Sequence, residues 1–131
     1  MKKAQLIVGT LHRQFSEQDK QFDFPDISKL SIFADNVIPC VLNELGIIEV
    51  DPSLKKRIDD QEELKSNELL DLQLRAVSIS ACDEIIQVAQ SEAFKDLGLG
   101  HLRNLDLDFY FWTLGKEPRF RSLQRHKTCD T

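Results

Sequence analysis

Apolar positions recur along this chain mainly at helical spacing. From Lys3 to Ser16, Ile7, Leu11 and Phe15 fall on one side and Val8 widens the stripe, which predicts a helix with a core face. The stretch from Glu17 to Asp26 is polar and broken by Phe22, Phe24 and Pro25, so it reads as a loop anchored by two aromatic rings. An apolar run, Leu30-Ser31-Ile32-Phe33, then leads to a second helix. Asp35 is placed to cap it, Pro39 lies in its first turn where a missing N–H costs little, and Gly46 is placed to end it. Phe33 and Asp35 are two apart, so an extended approach turns both to one side. Asp51-Pro52 repeats the signal, a cap followed by proline at the first helical position, and predicts a short helix to about Asp60.

The longest helix is predicted from Ser66 onward, because Glu68 is followed by Leu69, Leu70, Leu72, Leu74, Val77, Ile79 and Ile85 in a broad stripe. Such a helix should be the central packing element. Gly98 and Gly100 mark a break, after which Asn104 is placed to cap a last helix. Along it, Leu107, Tyr110, Phe111 and Leu114 recur at helical spacing, while Asp108 and Trp112 share a face. Gly115 and Pro118 end it. With five Gly and four Pro in 131 residues, the many tight turns of a β-sandwich are excluded, and the predicted class is all-α, one domain with its own core.

Charge removes one class of function. Seventeen Lys and Arg against 22 Asp and Glu give a net charge of -5, which argues against general nucleic-acid binding. The segment from Lys116 to Lys127 is the exception, with five basic residues against Glu117. It reads first as a solvated, partly disordered tail over 116–131, and second as a phosphate-facing strip. The apolar run after Met1-Lys2-Lys3 is interrupted by Gln5, Thr10 and His12, too early for a signal peptide or membrane span, so a cytoplasmic protein is expected. Cys40, Cys82 and Cys129 are odd in number and widely spaced, which suits reduced thiols and gives no zinc spacing; Cys40 and Cys82 read as small buried residues. His12, His101 and His126 have no motif partners and read as structural, and Ser78, Ser80 and Cys82 near Asp83 make no nucleophile elbow.

On spacing alone Asp35 is a helix cap. The residues around it carry more: Phe33-Ala34-Asp35, then Pro39, Val41-Leu42 and Leu45-Gly46, resemble the central motif of the queuosine salvage proteins, the queuosine 5'-phosphate N-glycosylases. Upstream, Lys3-Ala4-Gln5-Leu6-Ile7-Val8 and Asp26-Ile27-Ser28-Lys29-Leu30 resemble the segments that precede this motif. Downstream, Leu74-Arg75-Ala76 is similar to an Ile-Arg-Ala element, and Leu107-Asp108-Phe109-Tyr110-Phe111-Trp112 to a Leu-Asp-Tyr-Tyr-Leu-Trp segment. The resemblance covers essentially the whole chain as the C-terminal part of a longer enzyme, whose N-terminal region contributes a His and further pocket walls. Asn36-Val37 stands in place of Tyr-Arg, Gln73 in place of an acid, and Thr113 in place of an Asp.

The resemblance implies hydrolysis of the N-glycosidic bond of queuosine 5'-phosphate, releasing queuine for tRNA modification. Asp35 takes the catalytic role. Phe33, Ala34, Asp108, Phe109, Trp112 and Thr113 bind substrate, with Asp108 accepting from the guanine-like edge. The aromatic residues read otherwise as core packing. The partner is a small-molecule nucleotide, with no direct nucleic acid, membrane, metal or cofactor. The alternative is a truncated or inactive paralogue, a non-catalytic helical fragment that binds the missing N-terminal half or another partner chain.

Overall fold

In the computed structural model, which describes residues 2–65 and 68–128, the chain forms six α-helices among the described residues. They are α1 (Lys2–Phe15), α2 (Val37–Glu44), α3 (Pro52–Asp59), α4 (Leu69–Ala89), α5 (Asn104–Leu114) and α6 (Pro118–Arg121). Two-residue strands β1 (Glu63–Leu64) and β2 (Lys127–Thr128) pair in parallel, Glu63 opposite Lys127. The fold class is all-α, as the spacing predicts; the short strand pair left no alternation to read. The predicted start at Ser66, and Cys129, lie outside the described residues.

Helix α2 is the hub, although it is short. Val37, Ile38, Pro39, Val41 and Leu42 are all buried, and the helix packs against α4, α5 and α6. A helix apolar on nearly every side has to be surrounded. It ends where Gly46 adopts φ +71°, the left-handed turn that glycine enters without strain.

The main core joins Ile32, Ile38, Val41, Leu42, Leu74, Cys82, Leu107, Phe111 and Phe120. A smaller cluster holds Ile27, Phe33 and Leu105, with Val8, Phe24 and Leu30 against it. Adjacent residues Ile32 and Phe33 enter different clusters, as successive side chains of an extended segment do. The polar stretch before them contains short 3₁₀ turns at Lys20–Phe22 and Ile27–Lys29, and Phe22 and Phe24 anchor it, the Phe22 ring lying 5.5 Å from Phe15.

Four expectations need correction. The face of α1 that turns inward is Val8, Gly9 and His12; Ile7 is 59% exposed and Phe15 is also outside. Gly9 explains the rotation, because a Cβ there would lie 2.7 Å from Leu105 Cδ1 and 3.3 Å from the Phe33 ring. On α4 the buried stripe is narrow, Asp71, Leu74, Ser78, Cys82 and Ala89, while Leu69, Leu72 and Val77 are exposed. Arg103 occupies the cap position of α5, its N–H donating to Asp106 at 3.0 Å, and Asn104 instead donates to Asp83 at 2.8 Å. Cys82 is buried, but Cys40 is only partly so, with Sγ 3.7 Å from the Gln124 carbonyl oxygen. Within the basic segment, Phe120 and His126 are buried.

Candidate active site

Three successive residues, Phe33, Ala34 and Asp35, are each held by a different helix. The Phe33 N–H donates to Asp108 Oδ1 of α5 at 2.7 Å. The Ala34 carbonyl accepts from Arg75 Nη1 of α4 at 2.7 Å. Asn36, not Asp35 as the spacing predicts, occupies the cap position of α2 and its side chain makes no capping bond; from one residue further back, Asp35 Oδ1 accepts from the N–H groups of Val37 and Ile38, at 2.8 and 3.2 Å, in the first turn of α2. Those N–H groups have no partner within a helix, so the carboxylate satisfies donors that would otherwise be left over. Both bonds fall on Oδ1, and Asp35 is only half-buried, which leaves Oδ2 as the oxygen available to a ligand among the described residues.

Asp108 is buried beside Cys82. Burial, together with the Asp108 and Asp83 carboxylates, pushes the Cys82 thiol up to about 12. It stays protonated near neutrality and offers no nucleophile.

The remaining expected contacts lie further out. Phe33 itself is turned inward, its ring against Gly9 and Leu105. Phe109, Trp112 and Thr113 are on the exposed side of α5. The Arg13 guanidinium sits over the Phe109 ring at 3.1 Å, and Lys116 Nζ over Trp112 at 3.2 Å. The structure thus brings Phe33, Ala34, Asp35 and Asp108 together and sets the other three along an open face.

A cavity of about 150 Å³ lies elsewhere, between α2, α3 and the segment before β2, with Cys40, Lys55 and His126 in its wall. A larger, open apolar groove of about 440 Å³ follows the second half of α4 past Ile85, Val88 and Phe94. Neither is lined by Asp35 or Asp108. Among the described residues no three His, Cys, Asp or Glu side chains gather as a metal site would need.

Behind the site lie Asp71, which the sequence reading missed, and His126, which it read as structural. Asp71 carries Arg75, with Nε 3.0 Å from each carboxylate oxygen, and His126 Nε2 lies 3.6 Å from Asp71 Oδ1. The Asp71–Arg75 spacing of four on a helix was a readable signal. The approach of His126 was not, since it depends on how the last segment returns to α4.

The sequence profile of the queuosine salvage protein family matches residues 1–130. The queuosine 5'-phosphate N-glycosylase/hydrolase of Nematostella vectensis is 29% identical over 138 residues, which cover 97% of this chain and 39% of that protein. The protein of the same description from Sphaerobacter thermophilus is 30% identical over 128 residues, covering 97% and 37%. That from Dictyostelium discoideum is 28% identical, again covering 97% and 37%. The chain thus spans just under two fifths of the length of these curated relatives.

Proposed function

This chain belongs to the queuosine salvage protein family, and on that premise we propose that it supplies the sugar-side carboxylate and one wall of the base pocket of a queuosine 5'-phosphate N-glycosylase. The observation that carries the reading is the grip on Phe33-Ala34-Asp35 from three helices, which fixes a half-buried carboxylate at the N-terminus of α2. In this reading the chain corresponds to the C-terminal part of the longer relatives.

The reaction breaks the bond between the anomeric carbon and the base nitrogen. Water contributes its hydroxyl to the sugar carbon, and its proton ends on the base. Positive charge grows on the sugar as the bond lengthens, so a fixed carboxylate beside that carbon lowers the barrier. The base is a 7-deazaguanine, with carbon where guanine has a basic nitrogen. Protonation there is closed as a way to activate the leaving group, and catalysis leans on Asp35. Asp108 accepts from the N–H donors of the guanine-like edge. Phe109 and Trp112 offer rings for the heterocycle to stack on, Phe33 supports the pocket from beneath, and Ala34 and Thr113 complete its wall. Release of queuine would feed tRNA modification in the cytoplasm.

Mass-spectrometric detection of free queuine after incubation with queuosine 5'-monophosphate tests this, with Asp35→Asn in parallel. Release by the unsubstituted chain alone is expected; equal release by Asp35→Asn would remove Asp35 from the mechanism. A second reading, a non-catalytic fragment that works through a partner polypeptide, draws on the exposed apolar residues Ile7, Leu69, Val88 and Leu97. A stable monomer that leaves an apolar dye unbound would count against it.

A further inference from the structure

We propose that Arg75, backed by Asp71 and His126, is a positioning residue that fixes the Phe33–Asp35 segment, an inference that rests on the reading of Asp35 as the catalytic carboxylate. Arg75 reaches from α4 to the Ala34 carbonyl, 41 residues away in sequence, with Nη1 at 2.7 Å. Its Nε meets both oxygens of Asp71 at 3.0 Å, which sets the plane of the guanidinium. Asp71 is 4% exposed and His126, 3.6 Å from its Oδ1, 2% exposed. His126 is delivered by the segment that precedes β2, where Lys127 pairs with Glu63. The hydrogen-bonded tether therefore runs from the peptide next to Asp35 to Asp71 on α4, with His126 of the last described segment packed against its far end.

A buried ion pair is a poor source of stability, because the desolvation of two charges offsets their attraction and apolar side chains of equal volume do as well. A guanidinium adds direction: a planar fork holds two acceptors at set angles, which an ammonium does not. Here one arm takes the Asp71 carboxylate and the other the Ala34 carbonyl. Phe33 is already pinned by Asp108, and Asp35 by the first turn of α2. Fixing the Ala34 carbonyl between them restrains the Ala34–Asp35 peptide, whose rotation would shift the Asp35 carboxylate against a bound sugar. Arg75 acts through Asp35 and is not itself assigned to the substrate.

Amide hydrogen exchange and steady-state kinetics of Arg75→Gln test the proposal. Exchange at Phe33, Val37 and Ile38 is expected to rise about tenfold while α3 amides keep their rates. His126→Gln, the milder change, should accelerate the same amides to a smaller extent. Unchanged rates at these three positions, or acceleration spread equally into α3, would overturn the tether. Where the unsubstituted chain releases queuine, Arg75→Gln should lower kcat about 100-fold with KM little changed. Added methylguanidinium should restore part of the kcat of Arg75→Ala. A raised KM with kcat intact, or no restoration, would also overturn it. A chain that releases no queuine at all would count against the glycosylase reading alone, and the exchange rates would then decide the tether.

Discussion

Asp35 and Asp51 stand before consecutive helices and make the same local bond. Each carboxylate accepts the N–H two residues on, Val37 at 2.8 Å and Ser53 at 2.9 Å, and each helix has a proline in its first turn. Their surroundings differ. Asp51 is exposed, and its further partner is the Ser53 hydroxyl beside it. Asp35 is half-buried, behind two residues fixed by Asp108 and Arg75 from α5 and α4. Accepting a first-turn N–H is thus common to both regions, from the cap position in Asp51 and from one residue before it in Asp35, and says nothing of chemistry; the long-range grip on the preceding peptides is what separates a candidate site from a helix start.

The sharpest way to break this contrast is to change both caps alike. Asparagine caps as well as aspartate does, so neither Asp35→Asn nor Asp51→Asn should harm α2 or α3. Asp35→Asn is nevertheless expected to lower queuine release by about 100- to 1,000-fold, the usual effect of removing one preorganised electrostatic group, while Asp51→Asn leaves release alone. Rates measured under saturating substrate would show it. Comparable losses from both substitutions would mean that the two regions do not differ.

Next in size is Asp108→Ala. It leaves the buried Phe33 N–H without its acceptor and should cost about 2 kcal/mol in urea unfolding. Gly115→Ala should follow. Its Cβ would collide with Val37 Cγ1 at the start of α2, and overpacking of this kind costs about 1–2 kcal/mol. A thermal melt unmoved by this change would show that the start of α2 and the end of α5 are not closely fitted at Gly115.

The smallest effect belongs to Asp51. The Ser53 hydroxyl, and then its N–H, hold the Asp51 carboxyl below its ordinary value. A carboxylate lowered by folding contributes its stability above the unfolded value and loses it as the pH falls through the folded one. The acid end of the stability profile should therefore flatten slightly in Asp51→Ala relative to the parent, with no change near neutrality in the exchange of Phe33.

Much of this contrast was legible in the residues. Asp51, Pro39, Pro52 and Gly46 are local signals, and the structure places α2 and α3 where they point, whereas the caps of α2 and α5 fall on Asn36 and Arg103, one residue from Asp35 and Asn104. The side of α1 that packs was misread because Gly9 carries no hydrophobicity, yet its missing Cβ decides which face can approach Leu105. Likewise, the apolar stripe of α4 looked broad, but a buried Asp71 took one of its core positions. The spacing of four from Asp71 to Arg75 was there to be read, but nothing in the sequence foretells that the carboxylate is buried with His126, 55 residues away, beside it. Phe33-Ala34-Asp35 was found through resemblance, and its anchors on Asp108 and Arg75 only through the fold.

The most direct test of where ligands bind is to follow backbone amide resonances while queuine is added to the labelled chain, since this needs no turnover. Shifts concentrated at Phe33, Ala34, Asp35, Asp108 and Phe109 would place the base on the open face beside α5. Shifts confined to Cys40, Lys55 and His126 would place it in the cavity between α2 and α3, and Asp35 would then be a helix cap like Asp51.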